Sequence, residues 1–172
     1  HDADILIAGG GLNGPALALA LARGGLSVAV IDARPASLRA DAAFDGRAYA
    51  LALASVRVIE ALGLWRGLRD KAQPILGIRA SQGHAGQGPS PLMLGFDAAE
   101  IEEGAMGQML EDRHLYAAFL TAMQAEPRIA LHSGASVVAH AAAADGIAVT
   151  LDDGRVLGGR VLVGCDGRDS GV

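Results

Sequence analysis

The N-terminal region alternates between apolar runs and glycine clusters, and this pattern predicts a strand, a turn, a helix and a second strand. Residues 4–8 form a short apolar run that leads directly into three glycines, Gly9 to Gly11. Residues 15–23 predict a helix, and Gly24-Gly25 follow it, as glycine commonly does after a helix. Residues 27–31 lack polar alternation, which is typical of a parallel strand covered on both faces.

The middle of the chain predicts a further helix and then short strands separated by glycine- and proline-rich loops. The helix is expected over residues 51–62, closing at Gly63. Strand-like pieces follow at residues 77–81, 92–96 and 106–110. Their composition suggests strands that leave the main layer, towards a substrate domain. Asp112 is a suitable N-cap for another helix over residues 113–125.

The strand-like segments together predict an α/β fold. One parallel sheet is expected from residues 4–8, 27–31, 129–132 and 161–165, with 27–31 beside 4–8. Asp145-Gly146 and Asp153-Gly154 are hairpin signals between apolar runs, so residues 137–157 should form an antiparallel β-meander on that sheet. We therefore expect a Rossmann-like dinucleotide-binding domain with a parallel sheet plus a meander. It should span residues 1–172, with 77–110 leading to the substrate domain.

A phosphate-binding motif, Gly9-x-Gly11-x-x-Gly14, lies between the first strand and the first helix. The first glycine permits the tight turn, the second lets the backbone approach a pyrophosphate, and the third lets the helix pack closely on its strand. The amides of Leu12 and Asn13 would face the ligand at the positive end of the helix. The motif alone is weak in a glycine-rich chain, but the flanking strand and helix favour dinucleotide binding over a ligand-free turn.

An acid at the end of the second predicted strand strengthens this interpretation. Asp32 is placed to accept hydrogen bonds from ribose hydroxyls, and the adjoining Ala33 and Arg34 complete this part of the candidate site. Asp32 alone does not choose between FAD and NAD. Arg34 adds an alternative, because an arginine here could also accommodate a 2′-phosphate.

Composition excludes several other functions. The net charge of −5 argues against the phosphate attraction that nucleic-acid binders need. The single cysteine, Cys165, excludes a disulfide framework and fits a reducing cytoplasm. Histidines are scattered without metal-ligand spacing, so we expect no metal site. A cytoplasmic location is expected, and peripheral contact with the inner membrane and homo-oligomerisation are left open.

Later segments resemble the FAD-dependent aromatic hydroxylases of the ubiquinone-biosynthesis family, particularly the 2-polyprenyl-6-methoxyphenol hydroxylase branch. One similar segment runs from Asp45-Gly46-Arg47 to Leu62-Gly63-Leu64-Trp65. The family has an arginine there, followed by small residues, a helix and a terminal Gly-x-Trp. Further similar segments are residues 72–75, 83–86, 106–107 with 111–115, and the Asp-Gly signature within 163–170. The resemblance covers essentially the whole chain in the family's order, and it decides for FAD.

The resemblance implies roles for particular residues. Arg47 would lie beside the flavin or its pyrophosphate, and Arg113 would reach the phosphate or ribitol region of FAD. Asp166 would lie near the pyrophosphate and the approach of the nicotinamide donor. Val138 is included in the candidate cofactor site. No side chain is identified as a catalytic acid or base.

The implied activity is that of an NAD(P)H-using flavoprotein monooxygenase. NAD(P)H would reduce FAD, and O2 would supply the hydroxyl group to the ring of a polyprenylated phenol. The chain is expected to be the N-terminal portion of such an enzyme and inactive by itself. Two alternatives remain, an NAD-dependent dehydrogenase domain and a nucleotide-binding module without hydroxylase activity. The only lysine, Lys71, lies in no catalytic tyrosine–lysine setting, which weighs against the first.

Overall fold

The computed structural model describes residues 1–39, 43, 45–102, 104–168 and 170–172. The chain forms two compact units. The first unit comprises residues 1–44 and 113–172, and the second comprises residues 45–112. The assignment of the whole chain to one cofactor-binding domain stays a prediction.

Strands and helices follow one another along both units. The strands are β1 (Ala3–Ala8), β2 (Val28–Asp32), β3 (Ala48–Ala52), β4 (Gln73–Pro74), β5 (Gly77–His84), β6 (Gly88–Asp97), β7 (Gly107–Glu111), β8 (Ile129–Ser133), β9 (Val137–Ala143), β10 (Gly146–Leu151) and β11 (Val156–Gly164). The α-helices are α1 (Asn13–Arg23), α2 (Ala36–Arg39), α3 (Leu53–Ala61), α4 (Trp65–Leu68) and α5 (Asp112–Ala125). Short 3-10 helices span Arg69–Lys71 and Ala98–Glu100. No helix in the described part of the chain is both long and apolar enough to span a membrane.

The first unit is built on a six-stranded sheet in the order β8-β2-β1-β11-β10-β9. Strands β8, β2, β1 and β11 pair in parallel, whereas β9, β10 and the first half of β11 pair antiparallel. The α/β fold, the four parallel strands and the placement of β2 beside β1 are therefore confirmed. The meander is confirmed as well, and its last strand continues directly into the parallel part of the sheet.

The core of this unit explains why β1 and β2 carry apolar residues without alternation. All five residues of β2 are buried. On one face of the sheet, Leu6 and Ile31 cluster with Val149 and Leu157 of the meander. On the other face, Ile7 lies against the beginning of α1. Both faces are covered, so apolar side chains are stabilised on both faces of these strands, and the polar residues Asp4 and Asp32 lie near the strand ends.

The second unit contains a three-stranded antiparallel sheet, β3-β7-β4, and a separate hairpin of β5 and β6. The helix expected over residues 51–62 begins only at Leu53, because residues 48–52 form β3 and pair with β7. Apolar side chains of α3 and α4, including Trp65, are buried. Most side chains of the hairpin, including its apolar side chains, are exposed.

Candidate cofactor site

The glycine turn after β1 is held between the ends of two neighbouring strands. Gly9 has a φ of 108°, and its N–H donates to the carbonyl of Ile31 over 2.8 Å. The N–H of Cys165, just beyond β11, donates to the carbonyl of Ala8 over 2.6 Å. A Cβ on Gly9 would overlap the Cys165 carbonyl. Only glycine fits here, because both the backbone angle and the neighbouring strand end exclude a side chain.

The third glycine of the motif permits the close approach of α1. A Cβ on Gly14 would overlap the carbonyl oxygen of Gly9 and lie 3.4 Å from Cγ2 of Ile7. Gly14 is the second residue of α1, so the helix begins directly against the turn. This packing agrees with the reason for which the motif requires a glycine at this position.

Gly11 differs from the neighbouring glycines because no protein atom would collide with a side chain at its position. A Cβ on Gly11 would meet nothing within 4 Å, and its backbone is not in the left-handed region. The fold itself would therefore accept a side chain at this position. A ligand that approaches the backbone closely would give a physical reason for glycine here, which is what the motif predicts for a dinucleotide pyrophosphate.

The N-terminus of α1 provides the polar groups beside Gly11. Leu12 stands at the N-cap with φ −69° and ψ −35°, and its side chain has no hydrogen-bonding group. The N–H of Ala16 donates to the carbonyl of Leu12 over 3.3 Å. The amides of Asn13 and Gly14 precede this first helical bond, and Pro15 has no N–H. The helix therefore starts with backbone donors, at its positive end, that can serve an anion.

Asp32 lies against the glycine turn at the carboxyl end of β2. The residue is only 4% exposed. Its carboxylate accepts from the N–H of Arg34 over 3.1 Å, and its carbonyl accepts from the N–H of Gly134 over 2.7 Å. A Cβ on Gly10 would lie 2.5 Å from Cγ of Asp32. The acid that the sequence singled out is thus in direct contact with the turn.

The segment after Asp32 is fixed by a residue that the sequence reasoning missed. Ser133, at the end of β8, accepts from the N–H of Ala36 over 2.5 Å and donates to the carbonyl of Arg34 over 3.4 Å. Ala33 and Arg34 are exposed at this rim. The available signal was a polar residue at the carboxyl end of a predicted parallel strand, next to Asp32 in register.

Asp166 follows the end of β11 and belongs to the same group. Its backbone nitrogen lies 2.6 Å from the position of a Cβ on Gly9. Its carboxylate accepts from the hydroxyl of Ser170 over 2.6 Å and from the N–H of Gly171 over 2.9 Å. These bonds, led by Ser170, lower the pKa of Asp166, so it is ionised at neutral pH. Asp169 in this segment lies outside the described residues.

Val138 lies near the beginning of β9, at an edge of the sheet. The residue is 61% exposed, whereas the neighbouring Val137 packs against the core. The segment just before β9 reaches Asp32, whose carbonyl accepts from the N–H groups of Gly134 and Ala135. The inclusion of Val138 in the cofactor site stays a prediction.

The two arginines belong to different units. In the second unit, Arg47 lies between Asp45 and Asp112, with its terminal nitrogen 2.6 Å and 2.9 Å from their carboxylates. The hydrogen bond to Asp45 is the main reason why the pKa of Arg47 is raised. In the first unit, Arg113 is the second residue of α5 and is partly buried. Arg47 is thus a cation in a fixed orientation.

Comparison with known proteins decides which dinucleotide the chain binds. Residues 2–172 match the protein family described as FAD binding domain. The chain belongs to this FAD-binding family. FAD is therefore its cofactor, and the choice between FAD and NAD that Asp32 left open is resolved. The resemblance drawn from the sequence motifs is confirmed.

Two curated relatives are ubiquinone-pathway hydroxylases by name. Ubiquinone hydroxylase UbiL of Rhodospirillum rubrum is 44% identical over 99% of this chain and 38% of that protein. The 3-demethoxyubiquinol 3-hydroxylase of Escherichia coli is 33% identical over 98% of this chain and 42% of that protein. The chain thus spans about two fifths of the length of these relatives.

Solved structures of flavoproteins share the fold. PqsL of P. aeruginosa, in complex with 2-aminobenzoylacetate, is 26% identical with a TM-score of 0.71, over 99% of this chain and 44% of that chain. The flavin-dependent monooxygenase PieE, in complex with FAD and substrate, is 22% identical with a TM-score of 0.75. That match covers 98% of this chain and 31% of the PieE chain, and at this identity it shows the fold alone.

Proposed function

We propose that this chain is the cofactor-binding part of an FAD-dependent monooxygenase that uses NAD(P)H and O2 to hydroxylate the aromatic ring of a ubiquinone precursor. The observation that carries the proposal is the open space at Gly11, beside a buried acid and the beginning of α1. The names of the two ubiquinone-pathway relatives support the substrate class, a polyprenylated phenol.

The pyrophosphate of FAD is assigned to the glycine turn. Gly11 lets the backbone approach the phosphates, and the amides of Leu12 and Asn13 donate hydrogen bonds at the positive helix end. Gly9 and Gly14 keep the turn and α1 in the required arrangement. The binding energy here comes from backbone donors, which need no reorientation when the anion arrives.

The carboxylates are assigned to different parts of the cofactor. Asp32 accepts hydrogen bonds from hydroxyls of the adenosine ribose, beside Ala33 and Arg34. Asp166 lies near the pyrophosphate, and its charge is compensated by the two donors that it already binds. Arg47 and Arg113 are assigned to the anionic and flavin-proximal parts of FAD as fixed cations.

When bound, FAD supplies the redox and oxygen chemistry of the reaction. The residues of this chain bind and orient it, and no side chain is assigned a proton-transfer role. The aromatic substrate is assigned to the exposed strands of the second unit, β5 and β6, whose apolar side chains include Ile78, Leu94 and Phe96.

The test is flavin retention and coupled turnover in the full-length protein. We expect a yellow protein that oxidises NAD(P)H and consumes O2 when a short-chain 2-prenylphenol is present, with a hydroxylated product detected by mass spectrometry. Gly11→Val should weaken FAD binding by about 100-fold, roughly 2.7 kcal/mol, because its side chain fills the space of the pyrophosphate.

Gly67→Val is the matched control, because Gly67 also has no protein atom within 4 Å and lies in α4, away from the glycine turn in sequence. It should leave FAD affinity unchanged, and both variants should unfold near the wild-type temperature. A colourless full-length protein would favour the nucleotide-binding module, and equal FAD affinity in Gly11→Val would contradict the assigned site.

A further inference from the structure

Gly10 is not one of the three glycines of the Gly-x-Gly-x-x-Gly motif, yet it is closely packed. A Cβ on Gly10 would overlap Oδ2 of Asp32 and lie 2.5 Å and 2.6 Å from its Cγ and Cβ. Non-bonded contacts this short are essentially never seen for real Cβ atoms. Rotation of the carboxylate would relieve the first two contacts but not the third, because Cβ moves only with the backbone.

The backbone of Asp32 is held on both sides. Strand β2 lies between β1 and β8 and pairs with both in parallel. The carbonyl of Asp32 accepts from the N–H groups of Gly134 and Ala135, over 2.7 Å and 3.1 Å. Its predecessor Ile31 accepts from the N–H of Gly9. A side chain on Gly10 would therefore force the carboxylate, the turn or both out of position.

We propose that Gly10 is a positioning residue that sets the place of the Asp32 carboxylate and thereby the recognition of the ribose hydroxyls of the cofactor. This inference rests on the proposed function, in which Asp32 binds the ribose. It assigns a purpose that differs from those of the neighbouring glycines. Gly9 and Gly14 accommodate backbone, Gly11 accommodates the ligand, and Gly10 accommodates the acid.

The experiment measures discrimination between two nucleotides that differ by one hydroxyl. Full-length protein freed of flavin is titrated calorimetrically with ADP and with 2′-deoxy-ADP. In the wild type, ADP should bind about tenfold more tightly, the effect of one hydrogen bond to a charged group. In Gly10→Ala the ratio should fall towards one, as in Asp32→Ala, while the affinity for 2′-deoxy-ADP changes little. If Gly10 had only a structural role, its replacement would weaken the binding of both nucleotides equally.

A double variant covers the case in which Gly10→Ala fails to fold. Gly10→Ala/Asp32→Gly removes every atom of the colliding side chain and should therefore fold and bind 2′-deoxy-ADP without discrimination. If the double variant remains unfolded, Asp32 is not the cause of the collision and the inference is overturned.

The remaining outcomes separate this inference from the proposed function. A wild type that binds both nucleotides equally would overturn the ribose assignment of Asp32 and the role of Gly10 with it. A wild type that discriminates, together with a Gly10→Ala variant that discriminates equally, would overturn the role of Gly10 alone. Gly67→Ala serves as the control for glycine replacement at an open position.

Discussion

Two turns of the first unit, one after β1 and one between β10 and β11, need glycine for different reasons. In the turn after β1, side chains at Gly9 and Gly10 are excluded by residues that follow neighbouring strands or end them, and a side chain at Gly14 is excluded by the carbonyl of Gly9 in the same turn. In the turn between β10 and β11, Gly154 has no protein atom within 4 Å of a Cβ, but its φ is 85°. The first turn needs glycine because of close packing, in addition to the φ of 108° at Gly9, whereas Gly154 in the second turn needs it for backbone conformation alone. Substitution should therefore affect the two turns differently.

The Asp-Gly-Arg sequence of the second turn recurs twice in the chain, and its acid does not always have the same partner. Asp153 binds Nε of Arg155 over 2.7 Å, and Asp45 binds Nε of Arg47 over the same distance. The carboxylate of Asp166 instead accepts from Ser170 and Gly171. A shared turn sequence therefore does not determine what its carboxylate binds.

Among these variants, the largest loss of stability is expected for Gly14→Ala. The new methyl group would overlap the carbonyl of Gly9, a residue that is held in place by the hydrogen bond from its N–H to the carbonyl of Ile31. We expect the free energy of unfolding to fall by about 3 kcal/mol, the upper range for overpacking of a core. Urea unfolding measures it. Gly11→Ala is the control in the same turn and should be nearly neutral for stability. Equal stability of the two variants would show that the turn is not packed as described.

An intermediate effect is expected for Gly154→Ala. Here the cost comes from forcing an alanine to a φ of 85°, about 1 kcal/mol, and not from any collision. Gly154→Asn should be milder, because asparagine adopts left-handed conformations more readily than alanine. Thermal unfolding of the two variants beside the wild type provides the ranking. A loss as large as that of Gly14→Ala would remove the distinction between the two turns.

Local features of the chain were predictable because neighbours in sequence determine them. The run into Gly9, the helix after it and the acid at residue 32 follow from apolar periodicity and glycine spacing. The hairpin turns at residues 145–146 and 153–154 follow from their Asp-Gly pairs. Each of these features lies within one strand–turn–helix or strand–turn–strand unit, so no distant contact is needed to specify it.

The features that could not be predicted from the sequence depend on contacts between distant residues. Residues 48–52 have a helix-like composition but form β3, because β7 pairs with them. The purpose of Gly10 appears only when Asp32, on the next strand, is placed against it. Ser133 gains its partners from the segment after β2, about a hundred residues earlier in the chain. Packing and register supply this information, and periodicity does not.

The smallest expected effect is a pH dependence of stability that arises beside the turn between β10 and β11. Arg155 lies with its terminal nitrogen 3.2 Å from Nδ1 of His132 on β8. Arginine can only donate, so Nδ1 accepts and the neutral ring carries its proton on Nε2. Burial, and secondarily the charge of Arg155, lower the pKa of His132 from its ordinary value of 6.5. Protonation of Nδ1 would remove the acceptor and bring two cations together.

Stability should therefore decrease as the pH falls. Below about pH 7 the unfolded chain takes up a proton on His132 that the folded chain does not, so the unfolded state gains stability until the lowered pKa is passed. We expect the unfolding temperature to drop by about 2 °C or less between pH 7.5 and 5.5. His132→Gln, which keeps an acceptor but does not titrate in this range, should flatten the profile. An unchanged slope in that variant would assign the pH dependence to other groups. The turn would then be stabilised by Asp153 and the backbone of Gly154 without help from β8.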